Sequence, residues 1–311
     1  MNCGKVPGNI LKRSVVNLIG NGPRTGIDAT VHRTDGCCIL SSTQTGAVDS
    51  GISPWLAVVK ACNNIWAAKG EVSGVMAAFL LSERTKEREL KALTRQTMEA
   101  CRMCHTELSG GHTEVTDGVN RIISTITAVG KSFSNPLTVR DLKPGMEIVM
   151  TKWAGLEEAA VLLNNKTEYE KLSQRFSPYY MNNFSDYTKW LSIEAEALAA
   201  RQWGEVIMHD NSDGGVFGSL WDMAEGSGLG FEVDLRAIPV RQEIIELAYV
   251  CDRNIYRMKS SGSLMIACNS GRELVNCLAK QEIPASVIGK FTDNNDKIIR
   301  NEDEIRYLER V

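Results

Sequence analysis

Helix-period and strand-period apolar patterns alternate along almost the whole chain, and one Pro- and Gly-bearing stretch, 132–145, divides them. That alternation restricts the fold to sheets dressed with helices, either α/β or α+β. The stretch carries Asn135-Pro136 and Lys143-Pro144-Gly145, residues that punctuate structure by fixing or freeing φ. A chain of 311 residues also exceeds what one hydrophobic core usually serves. Two domains are therefore expected, residues 1–150 and 151–311.

Before the divide, the patterning predicts a short helix over 9–19 and strands over 28–32 and 37–43. A long apolar helix over 52–69 should end at Gly70, where a left-handed cap costs glycine little. A buried strand (72–81), a charged amphipathic helix (86–104) and strands over 108–115 and 121–129 follow. A strand over 147–151 is expected to close this first unit. Beyond a helix over 155–163 lies a polar, aromatic stretch (164–186) with little pattern. Helices over 189–203, 215–225, 241–251 and 271–280 then alternate with strands over 205–209, 230–235, 263–268 and 286–291.

Hydrophobic residues form 43% of the chain and charged residues 23%, a globular balance rather than a disordered one. The net charge of −3 gives no broad basic field, which argues against a nucleic-acid partner. No apolar run approaches the ~20 residues needed to span a bilayer, and residues 1–7 lack a signal-peptide layout. A cytoplasmic protein with no membrane contact is expected. Nine cysteines then read mainly as buried free thiols. Cys101-Arg102-Met103-Cys104-His105 has the form of a c-type haem attachment site. Its near-helical spacing with Leu90, Leu93 and Met98 favours two cysteines sharing one helix face, with a metal or redox pair as the lesser alternative.

Four polar clusters interrupt the apolar patterns at strand ends or tight turns. Gly22-Pro23-Arg24-Thr25-Gly26-Ile27-Asp28-Ala29 is a glycine-rich turn entering a strand. Its amides could approach phosphate oxygens and Asp28 could hold Mg²⁺, though a loop with a capping Asp is an ordinary alternative. Ser42-Thr43-Gln44-Thr45-Gly46 pairs with Asn63-Asn64 on the next helix. Amides within an apolar helix need partners if buried, and are a solvated pair otherwise. Gly110-Gly111-His112-Thr113-Glu114 concentrates donors and acceptors, and strand alternation puts His112 and Glu114 on one face. His209-Asp210-Asn211-Ser212-Asp213-Gly214-Gly215 joins a strand to a helix. It offers either an anion site at the helix start or an ordinary capped turn.

Taken in this order, the clusters resemble the aminoimidazole ribonucleotide (AIR) synthetase superfamily, most nearly its AIR synthase-related, hydrogenase-maturation-like branch. The resemblance rests on Gly4-Lys5-Val6-Pro7, Gly26-Ile27-Asp28-Ala29, Gly110 to Thr116, Val119-Asn120-Arg121, Thr151 to Glu157, Asp210 to Gly215 and Ser261-Gly262-Ser263-Leu264. It implies a two-domain PurM-like fold: an N-terminal ATP-binding domain of sheet and helices that pairs with a second subunit, and a C-terminal α/β domain. The implied reaction uses ATP to phosphorylate an oxygen of a small substrate that the sequence does not identify. His112, Glu114 and Asp210 are the implied catalytic residues. Gly26, Asp28, Gln44, Asn63, Asn64, Gly110, Gly111, Gly214 and Gly215 line the implied nucleotide site, and Asp28, Glu114 and Asp210 hold Mg²⁺. The family usually carries Asp where this chain has Gln44 and Asn64. Amide oxygens are weaker ligands than carboxylates for hard Mg²⁺, so metal binding is expected to be weakened. A degenerate, non-catalytic binder or maturation partner is the alternative.

Overall fold

The computed structural model describes residues 6, 8–19, 27–48, 52–132, 137–181 and 187–309. Gly26 and the turn before it lie outside the described residues. The chain opens with helical turns α1 (Gly8–Leu11) and α2 (Asn17–Ile19) around a π-helical stretch, Lys12–Val16.

The first sheet contains β1 (Thr30–Thr34), β2 (Cys37–Ala47), β3 (Glu71–Leu81), β4 (Leu108–Val115) and β5 (Ile123–Ser132). Their spatial order is β1-β2-β5-β3-β4. Only β3 and β4 run parallel. A parallel pair needs a long crossover, which α4 (Glu87–Met103) supplies; α3 (Ser53–Ala67) links β2 to β3. Leu40, Val75, Ala77, Phe79, Ile126 and Ala128 pack with α3 and α4 into one core. The alternate positions form an uncovered face, where Ile39 and Met76 are exposed. There Thr43 and Thr127 sit opposite one another with their hydroxyls 3.0 Å apart, as do Thr45 and Thr125 at 3.1 Å.

The second sheet is larger. It contains β6 (Glu147–Thr151), β7 (Ile207–Asp210), β8 (Gly230–Asp234), β9 (Leu264–Cys268), β10 (Ala285–Thr292), β11 (Lys297–Asn301) and β12 (Glu304–Tyr307). Their order is β12-β11-β8-β10-β6-β9-β7. The helices of this half are α5 (Leu156–Leu163), α6 (Lys166–Arg175), α7 (Pro178–Met181), α8 (Glu194–Trp203), α9 (Gly215–Ser227), α10 (Gln242–Val250) and α11 (Gly271–Ala279). Alternation along β6 shows that both faces are covered. Ile148 and Met150 join Leu220 and Met223 of α9 in one core, while Val149 joins Ala200 of α8 and Leu274 of α11 in another.

Helix α3 ties the halves together. It buries 11 of its 15 residues, because one side packs on the first sheet and another meets the second half. Val59 and Ile65 share a core with Leu156, Ala159 and Leu191, and Trp66 packs with Ile193 and Ala197. A helix apolar all round is one buried all round.

Three expectations need correction. Residues 147–151 do not close the first unit, since β6 lies in the second sheet between β10 and β9. The left-handed residue ending α3 is Lys69 (φ 60°); Gly70 is required instead because a Cβ there would collide with Leu40 and Ile65 side chains. The featureless stretch contains α6 and α7, and a terminal hairpin, β11–β12, follows the last expected strand.

The eight described cysteines are free. Cys62, Cys101 and Cys104 are buried in the core shared by α3 and α4. A hydrogen bond with Cys104, together with burial, holds the Cys62 thiol well above its ordinary pKa. Such thiols are packing groups rather than nucleophiles. Among the described residues no helix is long and apolar enough to cross a membrane.

Candidate functional site

The richest polar constellation lies where α3 meets the C-terminal end of β7. Strand β7 is buried throughout, so its last residues, His209 and Asp210, are delivered at the sheet edge with little water around them. His209 Nδ1 lies 2.9 and 3.0 Å from the two carboxylate oxygens of Asp28, just before β1. Burial alone would lower the His209 pKa, but the Asp28 carboxylate outweighs it and the net shift is upward. Asp210 is 1% exposed and accepts a hydrogen bond from Ser261 Oγ at 2.9 Å. Desolvation and the nearby Asp28 charge push its pKa up to about 7, against the opposing pull of Ser261 and Lys60.

Lys60 rises into the same region from α3. Its ammonium donates to Glu157 Oε1 of α5 at 3.2 Å and to Asp213 Oδ1 at 3.3 Å. Desolvation alone would lower its pKa, yet Glu157, Asp213 and Asp210 hold it above the ordinary lysine value. Burial by itself would raise the Asp213 carboxyl, but Lys60 and Lys259 draw it down to about 2. Three acceptors in this region remain buried without a hydrogen-bond partner: Asp210 Oδ1, Asn211 Oδ1 and Glu157 Oε2. Buried polar atoms are nearly always paired, so three in one region are an unusual concentration of unsatisfied acceptors.

The turn into α9 is shaped by glycine. Gly214 and Gly215 both have positive φ, 84° and 64°. A Cβ on Gly215 would also run into the backbone carbonyls of Tyr256 and Met258. The turn therefore packs directly against 256–258, and α9 starts beside Asp213 with its N-terminal dipole end toward the cluster.

The other candidates are spread more widely. Asn63 is fully buried and its amide is consumed by structure. It donates to Leu191 O at 2.8 Å and Ser261 Oγ at 3.3 Å, and accepts from Ile193 N at 3.2 Å. Asn64 donates to Ser42 Oγ at 2.8 Å. Gln44 lies two residues from Ser42 along β2, on the helix-covered face of the sheet. His112 and Glu114 do share one face, with His112 Nε2 3.3 Å from Glu114 Oε2, but both are exposed. His112 is in register with the row Ala78–Thr125–Thr45 and Glu114 with the row Leu80–Ile123–Ala47, both on the uncovered face. Gly110 borders open space, whereas Gly111 lies so close to the Ala77 backbone that a side chain would force β4 away.

Strand β4 is at the opposite sheet edge from β1, four strand spacings or about 19 Å away. The chain thus gathers Asp28, His209, Asp210, Asp213, Gly214 and Gly215, and sets His112 and Glu114 apart. The expected Mg²⁺ set of Asp28, Glu114 and Asp210 does not converge within one chain. Asp28 is engaged by His209, and among the described residues no group of three His, Cys, Asp or Glu could hold a metal ion. Within one chain, then, these three carboxylates are not gathered as a ligand set.

Sequence patterning missed Lys60 and Glu157. Lys60 is a charge inside the apolar run Val58-Val59-Lys60-Ala61, and Glu157 ends the Thr151 to Glu157 stretch; those were the available signals. Lys152 and Glu196 were missed as well. The Lys152 ammonium is 2.6 Å from Glu196 Oε1 and donates to Trp190 O and Ser192 O. Desolvation lowers its pKa against the pull of Glu196.

The profile described as AIR synthase related protein, N-terminal domain, matches residues 26–132, and that for the C-terminal domain matches 143–301. No curated protein sequence matches the chain. Similar solved structures include a HypE–HypF complex (TM-score 0.80, 17% identity, 97% of this chain and 99% of that one). AaThiL complexed with AMPPCP and TMP is also similar (TM-score 0.75, 13% identity, 99% of each chain). So is hydrogenase maturation protein HypE in complex with ATP (TM-score 0.69, 17% identity, 100% of this chain and 96% of that one). At such identities the likeness speaks for fold alone, and it is the two-domain PurM-like fold. With both profiles matched in order over most of its length, the chain belongs to the AIR synthase related protein family.

Proposed function

We propose that this protein binds ATP and uses it to phosphorylate an oxygen of a small substrate. The observation that carries the reading is the buried interdomain cluster at the glycine turn, with Asp210 Oδ1, Asn211 Oδ1 and Glu157 Oε2 unpaired. Support comes from full-length fold likeness to a HypE crystallised with ATP and to AaThiL crystallised with AMPPCP and TMP. In this reading the amides at the start of α9 face phosphate oxygens. Asp210, balanced near neutrality, takes the acceptor's proton as its oxygen attacks the γ-phosphorus and ADP leaves. His112 and Glu114 belong to the same site only if a second subunit supplies them. We therefore place a homodimer contact on the uncovered, threonine-lined face of the first sheet.

Thermal denaturation with ATP, with and without Mg²⁺, tests the binding claim. ATP at ~100 times its dissociation constant should add about 2.7 kcal/mol of stability. No shift in either condition would remove the nucleotide reading. ADP release in the presence of a candidate acceptor separates turnover from binding.

A second reading is favoured by Gln44 and Asn64, amides where the family usually carries carboxylates. It is a binder or maturation partner without turnover, and it predicts stabilisation by ATP with no ADP formed.

A further inference from the structure

We propose that the Lys60 ammonium is this chain's resident substitute for a divalent cation, holding the interdomain acid cluster together and keeping metal ions out of it. Three carboxylates from separate parts of the chain surround this corner: Glu157 on α5, Asp213 before α9 and Asp210 at the end of β7. A buried group of acids needs positive charge to exist at all. Here that charge is a side chain. Lys60 is 7% exposed, and its Nζ donates to both Glu157 Oε1 and Asp213 Oδ1 at 3.2 and 3.3 Å.

Charge balance explains why a metal is not needed. Asp213 Oδ1 is also 3.3 Å from Lys259 Nζ at the rim, so two ammonium groups face the Glu157 and Asp213 carboxylates. A Mg²⁺ ion entering this corner would meet the buried Lys60 ammonium in surroundings that screen poorly, with Lys259 half-exposed at the rim. It would also have to exchange water for oxygens already engaged by Lys60, and Mg²⁺ gives up its water reluctantly. The unpaired Glu157 Oε2 and Asp210 Oδ1 are each on residues at least nine-tenths buried. They are spare acceptors beside the ammonium, available once it is removed. The upward shift of the Lys60 pKa agrees with a cation that stays charged.

The misfit between the expected Mg²⁺ ligands and the residues present therefore has a positive explanation: the cation is built into α3. For nucleotide binding, a consequence that rests on the reading above, the polyphosphate is received as the metal-free anion.

The test uses Mn²⁺ alone, with no nucleotide, so that failure of the ATP reading leaves it untouched. Free Mn²⁺ is measured by its electron paramagnetic resonance signal in titrations of the wild-type protein and K60M. Met keeps most of the alkyl stem and vacates the ammonium's place. K60M should bind one more equivalent of Mn²⁺ than the wild type, and K60M/E157Q should lose that added equivalent. Equal stoichiometry in K60M and wild type would overturn the proposal. If K60M does not fold, recovery of its helical circular dichroism on adding MnCl₂ supports the proposal. Persistent unfolding at saturating MnCl₂ overturns it.

Discussion

His209 on β7 and Asp28 ahead of β1 form a buried pair across the junction of the two halves, with the ring nitrogen 2.9 Å from the nearer carboxylate oxygen. The residues are 181 positions apart in the chain, so this contact exists only when both halves are folded and docked. Removing one partner of a buried pair strands the other in poor solvent. D28N should lower stability to urea by about 3 kcal/mol. The His209 pKa, followed by proton NMR, should fall in the variant. An unchanged titration would show that Asp28 is not what holds the ring protonated.

The pH dependence of stability has a defined sign at Asp210. Its folded pKa is raised from 3.8 to about 7, so the folded state holds this proton more tightly than the unfolded chain. The contribution is fully present below pH 4, is lost as pH rises toward 7, and amounts to no more than about 4 kcal/mol. D210N should flatten the decline between pH 4 and 7 in chemical denaturation. His209, with its pKa also raised, contributes in the same sense and is lost at higher pH. Asp213, lowered to about 2, acts oppositely, its contribution fading only as the solution becomes strongly acidic.

Asn63 and Asn64 are adjacent in sequence but differ in what they hold. N63A would leave the Leu191 carbonyl and the Ile193 amide without their buried partner, at a cost of about 3 kcal/mol. N64A forfeits one bond to Ser42 and should cost about 1 kcal/mol. Equal losses in equilibrium unfolding would contradict this division.

Gln44 and Asn64 both adjoin Ser42 between β2 and α3. The double change Q44D/N64D places two carboxylates there and should tighten binding of ATP in the presence of Mg²⁺, measured by calorimetry. Affinity that stays level or falls would remove these positions from the nucleotide site. N64D alone also exchanges the amide that donates to Ser42 Oγ for an acceptor, so its unfolding should be measured alongside.

How far the sequence could be read depended on the range of the interaction concerned. Strand β4 was legible to its ends, because its boundaries follow local residue types, and so was the shared face of His112 and Glu114. Helix α6 was not, since only Leu172 on it is buried and no apolar stripe forms. Its start signal was nevertheless present, because Asn165 caps the amides of Thr167 and Glu168. Strands β11 and β12 are short and carry charged residues on an edge hairpin, which hid them from apolar patterning. The sheet to which β6 belongs was illegible, as its neighbours β9 and β10 lie more than a hundred residues downstream. Lys60 was missed: it is a lone charge in an apolar run, but its partners are 97 and 153 positions away. Nothing local to α3 names them.

Because α3 lends its flanks to both sheets, cutting the chain at the proline-bearing divide would not release two self-sufficient pieces. The leading fragment would present Lys60 and Asn63 to water together with the apolar residues of α3 that the second half covers, such as Trp66, an invitation to aggregate. The trailing fragment would lose the groups that satisfy Leu191, Ile193 and Glu157. Thermodynamically the molecule has a single keystone, and heat should melt both halves in one calorimetric transition rather than in sequence.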